Sequence, residues 1–259
     1  MNTREIPNSI LNFIGEIQQI HFPAQGHTSV VVSLTTMSGN FILKKTTEPL
    51  YSAWLKQEFE ILTQLENRLL PIPKAYLLVE EEKHCWLLMS QFHGIRMREF
   101  LLREHDVAKR KKVISHFGEI LREIHSTLCP EPLITTRESW LMSKLEEAEY
   151  NLRNYKVDGT KELLHKLKSS TPKEIPNTLI HGDFTIDNVM VNDNKIVGVI
   201  DWGGAAFGDP RYDLALAIRP KQNAFKEETD KQWFFEAYGL RSISYEEFEY
   251  FENGLYQFF

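Results

Sequence analysis

His181-Gly182-Asp183-Phe184-Thr185-Ile186-Asp187-Asn188 is the stretch on which the reading of this 259-residue chain turns. It lies in an apolar segment, Leu179–Val191, read as β structure. A polar turn, Asn192–Lys195, and a second β segment, Ile196–Ile200, follow it. The second segment delivers another carboxylate at its end, in Ile200-Asp201-Trp202-Gly203. Carboxylates at the ends of apolar segments can be held by a rigid scaffold. Phosphoryl transfer to a hydroxyl needs a carboxylate that orients the hydroxyl and takes its proton. It also needs oxygen ligands for the magnesium ions that bridge the phosphates. Asp183 offers the first; Asn188 and Asp201 offer the second.

The spacing from Asp183 to Asn188 is that of the protein-kinase catalytic loop H-R-D-x-x-x-x-N, with Gly182 in place of Arg, and Asp201 stands where the Asp of D-F-G would. The other parts of such a site can be sought independently. A lysine on the third strand should meet the nucleotide phosphates and pair with a helix glutamate. Phe41-Ile42-Leu43-Lys44 is the third β run, with Lys44 at its end. The next helix carries Glu58, four residues before the core-facing Leu62, and Glu60 as the alternative. Gln25-Gly26-His27-Thr28-Ser29, between the first two strands, is placed to cover phosphates with backbone N–H groups, so Gly26 and His27 are candidate nucleotide contacts.

The rest of the chain fits this frame. Ile14–Phe22 and Ser29–Thr35 read as strands, the latter forming a hairpin with Phe41–Lys44 across Ser38-Gly39-Asn40. Leu50–Leu65 has helical spacing and stops before Leu70-Pro71-Ile72-Pro73. Tyr76–Val79 and Cys85–Met89 form a second hairpin. Helical patterns cover Arg96–Arg103, Val107–Leu128, Trp140–Tyr155 and Lys161–Leu167, and return from Arg211 onward. The expected fold class is α+β, with a β-rich N-lobe over residues 1–92 and a mainly helical C-lobe over 93–259.

Taken together, these motifs make the chain resemble the aminoglycoside phosphotransferase and choline kinase-like family, the small-molecule branch of the protein-kinase fold. Carrying the resemblance are His181–Asn188, Ile200-Asp201-Trp202 and Gly208-Asp209-Pro210-Arg211-Tyr212-Asp213-Leu214. It implies a two-lobed protein-kinase-like fold with ATP between the lobes and Mg2+ as the metal. Asp183 is then the base, Asn188 and Asp201 the magnesium ligands, and Lys44, paired with Glu58, the phosphate contact. His181 and Asp213 brace the catalytic loop, and the backbone of Met89–His93 meets adenine. The implied activity moves the γ-phosphoryl group of ATP to a hydroxyl of a small molecule, with aminoglycosides the best-known acceptors. Two departures stand out. The loop over the phosphates has one glycine, Gly26, which weakens a protein-kinase reading more than a small-molecule one. Thr185-Ile186-Asp187 fills the catalytic loop where His-Pro-Gly-like residues are common, which leaves acceptor identity open.

Composition narrows the alternatives. The net charge of −6 and the ordinary hydrophobic and charged fractions, 42% and 25%, disfavour a general nucleic-acid binder and a disordered chain. Cys85 and Cys129 are far apart and in no C-x-x-C pair, as expected for free thiols in a reducing compartment. The N-terminal residues lack a signal-peptide core, and no apolar run approaches the roughly 18 residues that span a bilayer, so a cytoplasmic protein without membrane contact is expected. No G-x-x-x-x-G-K-[ST] is present, which excludes a P-loop NTPase. No H-x-H or H-E-x-x-H supports a two-metal phosphoesterase. Lys109-Arg110-Lys111-Lys112 reads as the solvated side of a helix.

A housekeeping metabolite kinase and a kinase-shaped binding protein without turnover remain as alternatives, although five intact site residues have no use in the second. The charge is uneven: 15 basic and 14 acidic residues through Pro130, then 15 and 22. Glu246, Glu247, Glu249 and Glu252 near the C-terminal end read first as the wet face of an amphipathic helix whose other face buries Phe248, Phe251 and Leu255; the resemblance implies the alternative, an acidic surface for a cationic acceptor.

Overall fold

The computed structural model describes residues 5–23, 29–81, 83–134, 139–220, 225, 227–240 and 242–259. They form two compact units, residues 1–93 with 198–204, and residues 94–197 with 205–259. The sequence reading had assigned everything after residue 92 to one lobe. Segment 198–204 instead packs with the first unit, because Val199 N–H donates to Pro71 O at 2.7 Å and the short helical turn Trp202–Gly204 packs on the long helix of that unit.

In the first unit, α1 (Asn8–Ile14) precedes strands β1 (Ile17–His21), β2 (Val30–Thr36) and β3 (Gly39–Thr46). Helix α2 (Pro49–Leu65) and strands β4 (Ala75–Glu81) and β5 (His84–Ser90) follow. The five strands make one antiparallel sheet, ordered β1-β2-β3-β5-β4. Successive side chains on a strand face opposite ways. Phe41 and Leu43 of β3, with Trp86 and Leu88 of β5, join Val32, Leu34, Ile10 and Ile14 in one core. Ile42 and Lys44 have the other parity, the one shared by the fully buried Leu87 opposite Lys44. Ile14 had been read as the start of a strand. It ends a helix instead, since Ile10 and Ile14, four apart, both enter the core, and Gly15 at φ 75° closes the last turn onto Leu11 O.

In the second unit, β6 (Ile95–Arg96) leads into α3 (Met97–Arg103), α4 (Val107–Ser126), α5 (Trp140–Asn154) and α6 (Lys161–Ser169). Strands β7 (Thr178–Ile180), β8 (Val189–Asn192), β9 (Lys195–Val199) and β10 (Ala206–Gly208) come next. Helices α7 (Pro210–Ala217), α8 (Glu228–Tyr238) and α9 (Tyr245–Phe251) complete it. β7 pairs with β10, and β8 with β6. The segment read as one β stretch, Leu179–Val191, is thus two strands split by residues 181–188. Tight turns there, such as Asn188 N–H to Thr185 O at 3.0 Å, cannot continue a ladder. Phe184 in this loop is fully buried and stacks on Phe117 of α4 at 4.5 Å, which fastens the loop to the helical core. Gly118 permits α8 to pack closely here: a Cβ would lie 2.2 Å from Phe234 O. Among the described residues, no helix is long and apolar enough to cross a membrane.

Candidate active site

Lys44 is placed by strand parity. It sits within β3 rather than at its end, on the face opposite the Phe41–Leu43 core, and its ammonium meets Glu58 Oε1 and Oε2 at 2.7 and 2.8 Å. Glu58 is buried on α2, whose inward positions are Leu55, Glu58, Ile61, Leu62 and Leu65; Glu60 is exposed and takes no part. The backbone N–H of Trp202 also donates to Glu58. Lys44 is paired as well with Asp201, so one ammonium joins two carboxylates. Burial pulls the Lys44 pKa down, but Asp201 and Glu58 together outweigh it and hold the ammonium above its ordinary value. Glu58 moves up because burial outweighs the pull of Lys44. Asp201 follows β9 with φ 64°, a left-handed conformation that Asp tolerates better than most residues, and its side chain is 44% exposed.

Residues 181–188 are held differently. Asp213, fully buried on α7, accepts the backbone N–H of His181 at 2.6 Å and that of Gly182 at 2.8 Å. Asp209 caps α7 by accepting Arg211 N–H, and Pro210 starts it, which places Asp213 in the first turn. Gly182 has φ 82°, open to glycine at no steric cost. His181 Nδ1 accepts Asp183 N–H at 3.2 Å, so that nitrogen carries no proton. Asn188 Nδ2 donates to Asp183 O at 2.9 Å and to Asp183 Oδ2 at 2.7 Å. Asp187 points the other way, in an ion pair with Arg98 of α3. Of the residues expected at the site, the fold thus brings Lys44, Glu58 and Asp201 together in one unit and His181, Asp183, Asn188 and Asp213 in the other. Gly26 and His27 lie outside the described residues.

Three participants escaped the sequence reading. His125, which has no ligand spacing in the sequence and suits packing or surface, bridges Asp213 Oδ2 at 3.3 Å and the Tyr238 hydroxyl at 2.8 Å. Arg98 fixes Asp187. Tyr256 donates to Asp183 Oδ1 at 3.0 Å. Tyr256 lies in an aromatic-rich stretch, Tyr245, Phe248, Phe251, Tyr256, Phe258 and Phe259, whose partly helical spacing suits a core more than a substrate site. Tyr256 also lines a cavity of about 500 Å³ with Asp158, Arg219, Phe248, Glu252 and Phe259. Two of the four glutamates near the end of the chain are paired with arginines. Glu247 pairs with Arg211 at 2.8 Å, Glu252 with Arg219, and Glu249 accepts Asn253 Nδ2 at 2.6 Å; Glu246 is exposed. Among the described residues, no three His, Cys, Asp or Glu side chains converge as a metal cage.

Comparison with known proteins places these features in context. A family model described as a phosphotransferase enzyme family matches residues 19–245. The chain is 26% identical over 261 residues to an aminoglycoside 3'-phosphotransferase of Niallia circulans, covering 96% of each. It is 25% identical over 254 residues to a homoserine kinase of Neisseria meningitidis, covering 92% of this chain and 79% of the other. Its fold matches the crystal structure of an aminoglycoside-3'-phosphotransferase of type VIII with a TM-score of 0.76 at 21% identity, over 94% of this chain and 93% of that one.

Proposed function

The chain belongs to the phosphotransferase enzyme family, and from that premise we propose that it transfers the γ-phosphoryl group of ATP to a hydroxyl of a small molecule, with Asp183 as the base. The observation that carries this reading is the fixed carboxylate of Asp183. Backbone, His181 and Asn188 restrain it, on a loop braced by a buried Asp213. The acceptor hydroxyl donates to Asp183. As its oxygen bonds to the γ-phosphorus, the bond to the β-phosphate oxygen breaks, ADP leaves and the hydroxyl proton passes to Asp183. Catalysis on this reading is positioning and charge stabilisation more than covalent chemistry.

Lys44, kept charged by its two carboxylates, is suited to the α- and β-phosphates, and the backbone of Met89–His93 to adenine. Gly26 and His27 are proposed to cover the phosphates through their backbone N–H groups. The donor set suits magnesium. Asn188 spends its amide nitrogen on Asp183, which leaves the amide oxygen for a ligand role, and Asp201 presents a partly exposed carboxylate. Magnesium takes hard oxygen ligands and, in nucleotide sites, only one or two protein carboxylates beside phosphate and water. When bound it neutralises charge on the phosphates.

The acceptor is proposed to enter the cavity beside Tyr256. Relatives named as aminoglycoside 3'-phosphotransferases support a polyhydroxylated amine. Arg219 in the cavity wall, paired with Glu252, supports a second reading, an acceptor that bears a carboxylate as the hydroxy amino acid of the homoserine kinase does. The test is ATP consumption with magnesium against two acceptor panels, aminoglycosides and hydroxy amino acids. Turnover with one panel chooses between the readings. ATP binding without turnover on either, or on other sugars and amino alcohols, would favour the binding-protein alternative.

A further inference from the structure

The two oxygens of Asp183 are not equivalent. Oδ2 faces the Asn188 amide nitrogen at 2.7 Å, and Oδ1 accepts the Tyr256 hydroxyl at 3.0 Å. An acceptor hydroxyl must reach this same carboxylate, and the oxygen turned away from Asn188 already holds a hydroxyl. Tyr256 is well placed for exchange. It is half-buried, its ring lies under the Arg219 guanidinium at 4.1 Å, and it forms part of the cavity wall. Arg219 is in turn fixed by Glu252 and also bonds the Tyr256 hydroxyl, so the ring has a defined seat and the hydroxyl a second partner besides Asp183. Burial and the neighbouring Asp183 raise the phenol above its ordinary pKa, so it stays protonated and acts as a donor.

We propose that Tyr256 is an acceptor gate: its hydroxyl occupies the Asp183 oxygen the acceptor needs, keeps water off that oxygen while the cavity is empty, and gives it up when the acceptor enters. The proposal rests on the phosphotransferase reading of Asp183. The reaction it suppresses is hydrolysis. Water oxygen would bond to the γ-phosphorus, the bond to the β-phosphate oxygen would break, one water proton would pass to Asp183, and the products would be ADP and inorganic phosphate. A phosphotransferase holding a preformed base beside bound ATP faces this loss whenever the acceptor is absent. A phenol on the base meets it without being consumed. Tyr256 is thus a positioning residue that acts through Asp183.

The experiment needs no knowledge of the acceptor. Phosphate release from ATP with magnesium alone is measured for wild type, Tyr256→Phe, Tyr250→Phe and the double variant Asp183→Asn/Tyr256→Phe. Tyr256→Phe keeps the ring under Arg219 and removes only the hydroxyl. Hydrolysis should rise about ten-fold, the order expected for freeing a charged oxygen from one hydrogen bond. Tyr250 donates to Leu167 O, away from Asp183, so Tyr250→Phe should leave hydrolysis at the wild-type level. A merely structural role for Tyr256 predicts the opposite sign, since a loosened site hydrolyses less. Hydrolysis at or below wild type in Tyr256→Phe, with ATP and magnesium still raising its melting temperature, overturns the gate alone. A rise that persists undiminished in the double variant overturns both the gate and the assignment of Asp183 as base.

Discussion

Lys44 and Asp183 are held by opposite means. Around Lys44, charge restrains charge. A buried ammonium is shared by Glu58 and Asp201, and the buried Lys44 and Glu58 would each be costly without a partner. Around Asp183, the backbone does the work. Asp213 collects two main-chain N–H groups, His181 collects a third, and the carboxylate at the tip is left in contact with the polar groups of Asn188 and Tyr256. The difference suits the proposed tasks. A phosphate-binding lysine needs a charge that is never lost. A base needs a fixed position within reach of the hydroxyl whose proton it takes.

Substitutions can break this contrast, and the largest effect should come from the tip. Asp183→Asn keeps the shape, the Asn188 neighbour and the loop. It should lower kcat by about 10²–10⁴ while ATP–magnesium still stabilises the protein in a thermal-shift assay. A variant that keeps more than about a tenth of kcat is outside that range and removes Asp183 from the role of base.

On the charged side, Lys44→Met strands Glu58 beside Asp201 in a buried setting, and should cost about 3–5 kcal/mol in denaturant unfolding. Lys44→Met/Glu58→Leu should recover much of that stability without recovering turnover, because the loss comes from the orphaned carboxylate. If the double variant is no more stable than the single one, the pair is not the source of the cost.

A smaller loss is expected on the backbone side. Asp213→Asn replaces one oxygen that accepts main-chain N–H with an amide nitrogen that cannot. It should cost about 1–3 kcal/mol and lower kcat through the displaced loop. A stability loss with kcat unchanged would mean that the loop does not depend on Asp213 for its position.

The smallest effect is predicted at a charge pair between the buried Arg211 and the half-buried Glu247, which belongs to neither site. Burial alone would raise the Glu247 carboxyl, but its bonds to Arg211 and the Ser244 N–H outweigh this and hold it below the usual 4.5. With the folded value below the unfolded one, its contribution is present above about pH 4.5 and is lost as pH falls through the folded value. Melting temperature should therefore fall less steeply in Glu247→Gln than in wild type on acidification below pH 4.5. Parallel curves would show that the pair contributes nothing measurable.

Local pattern carried much of this. Strand alternation marked β3 and placed Lys44 on it, helical spacing set α2 almost to the residue, and the Asp183-to-Asn188 spacing with Asp201 beyond pointed to phosphoryl transfer. These are short-range properties, fixed by the two- and 3.6-residue periods of strand and helix and by the fixed reach of a loop. Ile14 was misread because an apolar residue every three or four positions fits the end of a helix and the start of a twisted strand equally well. The segment 198–204 was assigned to the wrong unit because its anchor, Pro71 O, is remote in sequence and is a backbone atom that no residue type announces.

What tertiary structure alone decided lies at long sequence separation. Helical spacing already favoured Glu58 over Glu60, but that its face of α2 meets Lys44 depends on how α2 packs on the sheet. His125 joins Asp213 across 88 positions and Tyr256 reaches Asp183 across 73, and neither residue belongs to a motif. A sequence lists which groups a chain can offer. Which two of them share a hydrogen bond depends on how its helices and loops pack, because directional contacts of about 3 Å between distant residues are set by the whole core and not by any stretch of it.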